Sequence, residues 1–288
     1  GTVVDGSGKP RFGADVYISG DKIALIHGGS EKYPSKAAID ASGLVVSPGF
    51  IDMHSHDDLY VASDAFNTPK LSQGVTTVVV GHCGMGTAVA PENSAALYDY
   101  QAGVLGAESG AKPESFADYL GFLDGAGSAV NVAPLVGHIP LRVAVAGYEG
   151  RLLSGSEMAR MEQLAESAME MGAFGISTGL TYQPVYHANP EELVVLGKVV
   201  ARHGGLFTFH MRGYGSDLLD SLDEVIEVAK RSGARVHVCH LRTNRSNRDG
   251  IRKAIQRIEA ALDDGVDIGF DNYPYTAGAS ILSQSLPG

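Results

Sequence analysis

The chain has 288 residues, with 33 acidic against 22 basic side chains and a formal net charge of −11. This balance, with no dense stripe of Lys or Arg, argues against a nucleic-acid partner and against an anionic membrane surface. Hydrophobic residues make up 44% of the chain and charged residues 19%, which is typical of a globular protein. The length suits one large α/β domain. Only two cysteines, no visible signal peptide and no apolar run of roughly 20 residues favour a reducing, cytoplasmic location.

Residues 1–46 carry short β-like segments separated by turn residues, a pattern typical of a small β-rich domain. The predicted strands are TVVD, ADVYISG, KIALIHG and AIDASGLVV. From residue 47 to residue 288, apolar β-like runs alternate with amphipathic helical stretches. We therefore predict that residues 1–46 form part of a small β-domain and residues 47–288 form a larger α/β domain.

The larger domain contains seven β-like runs, VVSPGFIDMH, TTVVVGHCG, NVAPLVGH, FGIST, LFTFHM, RVHVCHL and DIGFDNY. Four glycines each follow a helical segment and precede a strand, about 30 residues apart, which is the length of a βα unit in a (β/α)₈ barrel; they are Gly172, Gly204, Gly233 and Gly265. An open doubly wound sheet is the alternative, but no G-x-G-x-x-G turn follows an early strand. The pattern predicts a TIM-like barrel.

A closed barrel of this type needs eight strands, and seven are predicted. We therefore expect the sequence to be incomplete at its C-terminus. Its first residues, GTVVDGSG, resemble the interior of a strand, so we expect the same at its N-terminus. An open barrel exposes two sheet edges. We therefore expect this chain alone to have little activity, and a chain extended through the eighth strand to be active.

The first barrel strand ends in GFIDMHSHDD, which carries an H-x-H pair. Residues two apart on a strand share one face, so His54 and His56 are predicted to point the same way as Asp52. Beside the acidic pair Asp57 and Asp58, two convergent imidazoles favour a metal site. Solvent-facing strand histidines are the alternative.

Three later strand ends each place a candidate ligand at the mouth where barrel enzymes carry their chemistry. Strand alternation predicts Cys83 on the face of Val79 and Gly81, His210 on the face of Thr208 and Leu206, and His240 on the face of Val236 and Val238. A thiolate with imidazoles is a good zinc set that leaves a position open for water.

Other histidines and the second cysteine receive different interpretations. Cys239 is predicted to face the helices, opposite His240, as inert packing. His237 shares that face and is interpreted as structural. For His138, at the end of the third barrel strand, two interpretations are equally favoured: it lines the mouth of the barrel, or it has a structural role.

The order of GFIDMHSHDD, QGVTTVVVGHCG, GAFGISTGLTYQP, FTFHMR and DNYPYTAGAS resembles the N-acyl-D-amino-acid deacylases, or D-aminoacylases, of the amidohydrolase superfamily, over nearly the whole chain. The resemblance implies zinc-dependent hydrolysis of N-acyl-D-amino acids to a carboxylate and a free D-amino acid. It implies one tightly held Zn²⁺ on Cys83, His210 and His240, and a weaker second position on His54 and His56 that shares Cys83. The fourth strand, GISTG, has no lysine for carboxylation, which agrees with Cys83 as the bridging ligand.

The resemblance also implies substrate contacts. Tyr182 and Tyr273 are expected to line the pocket and to bond the substrate carboxylate. Arg212 could bind that carboxylate with both nitrogens, or could equally form a structural ion pair. Arg242 stands where the family often has lysine, which leaves the preferred side chain open.

The general base of the family is an aspartate after the eighth strand, expected here beyond residue 288. Asp271, on the seventh strand, is interpreted as a hydrogen-bonding strand residue. Two other functions stay open: a different amidohydrolase reaction, such as the cyclic-amide opening of dihydroorotases and hydantoinases, and a non-catalytic metal-binding barrel. The sequence predicts a small-molecule substrate and leaves the oligomeric state open.

Overall fold

A computed structural model of the chain describes residues 1–62, 69–105 and 110–280. The chain divides into two compact units, Gly1–Phe50 and Ile51–Gly288. The boundary predicted from the sequence, between residues 46 and 47, precedes this division by a few residues. Within the described ranges, no helix has the length and apolar character needed to cross a membrane.

The first unit is built from strands. Its elements are β1 (Thr2–Val3), β2 (Phe12–Gly13), β3 (Asp15–Ser19), β4 (Lys22–His27) and β5 (Val45–Val46). β1 pairs antiparallel with β2 and parallel with β5, while β3 and β4 form an antiparallel hairpin. The small β-rich part that the turn spacing predicted is confirmed.

The larger unit is an α/β structure around seven strands of a (β/α)₈-type barrel. The strands are β6 (Phe50–Asp52), β7 (Val75–Val80), β8 (Asn131–Gly137), β9 (Gly175–Gly179), β10 (Leu206–His210), β11 (Arg235–Val238) and β12 (Ile268–Phe270). The helices are α1 (Ser94–Gln101), α2 (Phe116–Ala126), α3 (His138–Ala146), α4 (Gly155–Glu170), α5 (Pro190–Arg202), α6 (Leu218–Ser232) and α7 (Gly250–Asp263). Each strand lies beside the strand that precedes it in the chain, as in a barrel. The seven predicted barrel strands are confirmed.

The register of β10 and β11 shows which side chains face the helices. Phe207 lies opposite Val236, and Phe209 lies opposite Val238. Aligned residues of a parallel pair point to the same side, and these four side chains are all buried in the main hydrophobic core. The face of Val236 and Val238 is therefore the helix face.

His237 consequently points to the inner face, because it alternates with Val236 and Val238 and aligns with Thr208. The sequence-based assignment of Val236, Val238 and His240 to one inner face is wrong. β11 ends at Val238, and His240 lies beyond it with a positive φ of 39°. The direction of the His240 side chain is therefore set by the turn after β11 and not by strand alternation.

Local sequence signals explain where α4 and α5 begin. Ser154 and Glu157 form a full capping box at the start of α4. At α5, Asn189 accepts a hydrogen bond from the Glu192 backbone, and Pro190 occupies the first turn. The Glu192 carboxylate itself does not cap the helix but is buried in the protein.

Glu192 belongs to a fully buried polar cluster that joins α3, β9 and α5. Its carboxylate lies 2.8 Å from His138 Nε2 and 2.8 Å from Arg142 Nε, and the Thr178 hydroxyl lies 3.0 Å from His138 Nδ1. Burial raises the pKa of Glu192, but His138 and Arg142 outweigh it and leave that pKa lowered. Both ring nitrogens of His138 are thus engaged within the cluster, and the histidine serves the structure there.

We expect Glu192→Gln to lower the free energy of unfolding by about 3–5 kcal/mol, because it leaves the buried Arg142 guanidinium without its carboxylate. Urea unfolding followed by circular dichroism measures the change. Glu191→Gln is the matched control, since Glu191 pairs with Arg231 at the surface and exposed ion pairs contribute little. Equal unfolding midpoints for the two variants would contradict the structural importance of the cluster.

Candidate metal centre

His54 and His56 lie just past the end of β6, in the segment that follows Asp52. The Asp52 carboxylate accepts a hydrogen bond from the His54 backbone at 3.0 Å and pairs with Lys70 at 2.6 Å. Asp57 also pairs with Lys70, at 3.3 Å. These two carboxylates therefore shape the strand end, and the imidazoles remain as its candidate ligands, with ring centroids 5.5 Å apart.

Cys83 sits in a tight left-handed turn directly after β7. Gly81, Cys83 and Gly84 have φ of 81°, 58° and 73°. A Cβ on Gly81 would collide with the Leu135 carbonyl, and one on Gly84 would lie 2.6 Å from the Gly179 nitrogen. Since β7 ends at Val80, the predicted alternation of Cys83 with Val79 and Gly81 does not apply.

Ser177, in the middle of β9, holds this turn closed. Its hydroxyl donates to the Gly81 carbonyl and accepts from the Gly84 N–H at 2.9 Å. Ser177 is fully buried, so both hydrogen bonds are shielded from water. The fourth strand, which has no lysine to offer, thus supplies the clamp that positions the cysteine.

His210 ends β10, on the inner face that strand alternation predicted for it. Its Nε2 lies 3.0 Å from the Thr181 hydroxyl. With Nε2–H donating to Thr181, the Nδ1 lone pair faces His240, whose Nε2 is 3.0 Å away. The Tyr182 hydroxyl lies 3.4 Å from the same Nδ1.

These strand ends place five candidate ligands in two overlapping groups whose ligand atoms lie within 4.8 Å of one another. We call Cys83, His210 and His240 the Cys83 cluster, and His54, His56 and Cys83 the His56 triad. Cys83 Sγ lies 3.7 Å from His240 Nε2 and 3.4 Å from His54 Nε2. Two ligands of one tetrahedral zinc ion are separated by about 3.3–3.6 Å. The observed spacings are close to that value.

The chemistry of these side chains also suits a cation. Burial lowers the pKa of His240 to about 3 and that of His56 to about 4, and it holds the pKa of His210 well below its ordinary value. These imidazoles are therefore neutral at physiological pH, the form that binds metal. The Nδ1 atoms of His56 and His240 are buried without a hydrogen-bond partner among the described residues. A metal ion fits this donor set.

Asp271, which follows β12, connects the groups. Its Oδ2 accepts from His54 Nδ1 at 3.0 Å and from His237 Nε2 at 2.9 Å, and its Oδ1 accepts from the His240 backbone at 2.6 Å. Burial alone would raise the pKa of Asp271, but the hydrogen bonds hold it well below its usual range. The carboxylate orients the His54 ring and fixes the His240 turn, a role that carboxylates commonly have behind metal ligands.

The structure places two residues beside these groups that the sequence analysis did not assign to the site: Cys239, which was predicted to face the helices, and His82, which was assigned no role. Cys239 Sγ lies 3.6 Å from His82 Nδ1, and the His82 ring stacks on the His54 ring at 4.2 Å. The interpretation of Cys239 as helix-facing packing is wrong. The sequence signal that could have placed Cys239 correctly is its spacing of two residues from His237, since both then share the inner face of the strand. For His82, its position next to Cys83 was the one available signal.

The four candidate substrate-binding residues divide into two kinds of environment. Arg242 lies over the Tyr214 ring at 4.8 Å, and its Nε has no hydrogen-bond partner among the described residues. Tyr273 lies near His240, with ring centroids 6.4 Å apart, and Tyr182 contacts His210 as described above.

Arg212 instead pairs with Glu224 at 2.9 Å and donates to the Tyr186 and Ala188 carbonyls. Of the two roles predicted for Arg212, these contacts support the structural ion pair.

The chain is similar to known proteins along nearly its whole length. The family described as the amidohydrolase family matches residues 37–283. The chain is 40% identical to a D-aminoacylase of Alcaligenes xylosoxydans xylosoxydans over 286 residues, covering 99% of this chain and 58% of that protein. It is also 40% identical to an N-acyl-D-glutamate deacylase of the same organism, covering 98% of this chain and 57% of the relative. The chain thus spans a little over half the length of these relatives.

Solved structures agree with the fold. The crystal structure of a D-aminoacylase superposes with a TM-score of 0.85 at 38% identity, covering 96% of this chain and 58% of the other. An N-acyl-D-glutamate deacylase from Bordetella bronchiseptica, complexed with zinc and a phosphonate mimic of the tetrahedral intermediate, gives a TM-score of 0.85 at 36% identity, with 96% and 57% covered. Both likenesses extend over nearly all of this chain.

We expect Asp271→Asn to weaken zinc binding by about 10–100-fold, the usual effect of losing a carboxylate that orients a histidine ligand. Competition with a chromogenic chelator measures the affinity. Asp267→Asn is the control, because Asp267 pairs with Arg235 at the surface. Unchanged affinity in Asp271→Asn would show that Asp271 does not orient the ligands.

Proposed function

Because this chain belongs to the amidohydrolase family, we propose that the protein hydrolyses the amide bond of N-acyl-D-amino acids, giving a carboxylate and a free D-amino acid. The observation that carries this proposal is the convergence of one thiol and two neutral imidazoles at the ends of β7, β10 and β11. The named relatives that act on N-acyl-D-amino acids support the substrate class.

We propose zinc as the metal, held tightly by Cys83, His210 and His240. His54 and His56 would offer a weaker second position that shares Cys83. Burial alone would lower the pKa of His54, but hydrogen bonds to Asp271 and Cys239 raise it to about 10, so a cation must displace a proton there. Bound zinc would supply Lewis acidity, which polarises an amide carbonyl and activates water near neutral pH.

The substrate would be oriented by side chains around the Cys83 cluster. Burial raises the pKa of Tyr182, so its hydroxyl keeps its proton and can donate a hydrogen bond to substrate oxygen. Arg242 Cζ lies 4.8 Å over the centre of the Tyr214 ring, and its guanidinium can bind a carboxylate with two nitrogens. We propose that Arg242, Tyr182 and Tyr273 recognise the carboxylate and acyl ends of the substrate.

A carboxylate must take the proton of the attacking water and pass it to the leaving amine. Asp271 is poorly suited to this task, because it already accepts three hydrogen bonds and its pKa is lowered. We propose that the general base is an aspartate outside these 288 residues.

The metal assignment predicts near-stoichiometric zinc in the purified protein. Cys83→Ala and His210→Ala each remove one of three ligands, and we expect each to lower zinc affinity at least about tenfold. Elemental analysis after dialysis measures the content. His203→Ala is the matched control, because His203 pairs with Glu166 on the surface of the helix layer. Full zinc retention in Cys83→Ala would refute the assignment.

The substrate assignment predicts release of free amine from N-acetyl-D-amino acids by the zinc-loaded full protein. The same N-acetyl-L-amino acids should release little, and hydantoins should stay closed. A primary-amine assay and chiral chromatography distinguish these products. Opening of hydantoins alone would replace the proposed reaction with cyclic-amide hydrolysis, and bound zinc without any turnover would favour a metal-binding role.

A further inference from the structure

The geometry points to an additional metal position, separate from the Cys83 cluster: we propose that His54, His82 and Cys239 bind one soft, thiophilic metal ion. We call these three residues the Cys239 cluster. Each offers a ligand atom, and the three atoms lie within 4.8 Å of one another. No residue is shared with Cys83, His210 and His240.

The distance between Cys239 and His82 matches shared coordination of one ion. Cys239 Sγ and His82 Nδ1 are 3.6 Å apart, against about 3.6 Å for a thiolate and an imidazole on one tetrahedral zinc-like ion. The His54 ring lies 4.2 Å from the His82 ring and nearly parallel to it. A ligand atom of His54 lies within 4.8 Å of the other two. Since imidazoles bind a metal in the plane of the ring, the His54 ring must rotate out of its stacked position to share the ion.

The surroundings of His82 support a cation there. Its ring is fully buried, its Nε2 has no hydrogen-bond partner among the described residues, and its Nδ1 faces only a sulfur atom. Sulfur is a weak hydrogen-bonding partner, and buried polar groups ordinarily have strong ones. A metal ion would give His82 the strong polar contact that this environment does not otherwise provide.

The ligand types select the class of ion. One thiolate and two imidazoles, without a carboxylate, favour soft or borderline ions such as Cu(I), Cd²⁺ or Zn²⁺ over Mg²⁺ or Ca²⁺. Binding releases the thiol proton. His54 is the member in contact with solvent, with 16% of its side chain exposed. Because His54 is also part of the His56 triad, an ion in the Cys239 cluster competes with an ion in that triad.

The alternative is a simple thiol–imidazole hydrogen bond between Cys239 and His82. Cadmium titration of the full protein carrying Cys83→Ser separates the two possibilities. Cys83→Ser removes the thiolate of both other groups, and Cys239 is the second of the two cysteines in this sequence. We expect thiolate-to-cadmium charge-transfer absorption in the ultraviolet to persist in Cys83→Ser and to vanish in Cys83→Ser/Cys239→Ser, which serves as the blank.

His82→Asn in the Cys83→Ser background should weaken the remaining cadmium binding at least about tenfold. Circular dichroism and thermal unfolding verify that each variant is folded. Should Cys83→Ser fail to fold, the loss of cadmium equivalents in Cys239→Ser and His82→Asn relative to the unaltered protein provides the same test. No thiolate absorption in Cys83→Ser, or unchanged equivalents in the single variants, would overturn the proposal. Neither result bears on amide hydrolysis, which depends on the Cys83 cluster.

Discussion

The candidate site depends on two places where the chain enters the left-handed region at a residue that carries a side chain. Cys83 and His240 both have positive φ, a conformation that costs a residue other than glycine roughly 1–2 kcal/mol. Neighbouring strands hold both turns in place: Ser177 clamps the first, and Asp271 bonds the backbone of the second. The backbone strain at the site is thus offset by hydrogen bonds from β9 and from the end of β12.

The same hydrogen bonds join parts of the chain that are distant in sequence. Asp271 lies 217 residues from His54, yet one of its oxygens bonds both His54 and His237. The site therefore assembles only after the first and last strands of the described barrel have found their places around it. Such long-range contacts make a site that folds late, since loop closure must precede them.

Much of this arrangement was predictable from the sequence, because the strand runs and helix caps are local signals. The seven barrel strands, the capping box at Ser154 and the inner position of His210 follow from alternation and spacing. Strand alternation failed at Cys83 and His240, because both residues lie beyond the last paired residue, where the period of two no longer holds. It also failed for Cys239, since the buried valines of β11 were assigned to the wrong face. Long-range partners such as Asp271 carry no local signal at all.

The tight approach of the turn after β7 to its neighbours limits how this site can be altered. At positions 81 and 84 the surrounding backbone leaves no room for any side chain, and position 83 supplies the sulfur on which two ligand groups converge. Of the four residues in the turn, only His82 can be exchanged without breaking the turn or removing that sulfur. Substitutions in this turn that change the metal preference, whether natural or engineered, are therefore confined to position 82.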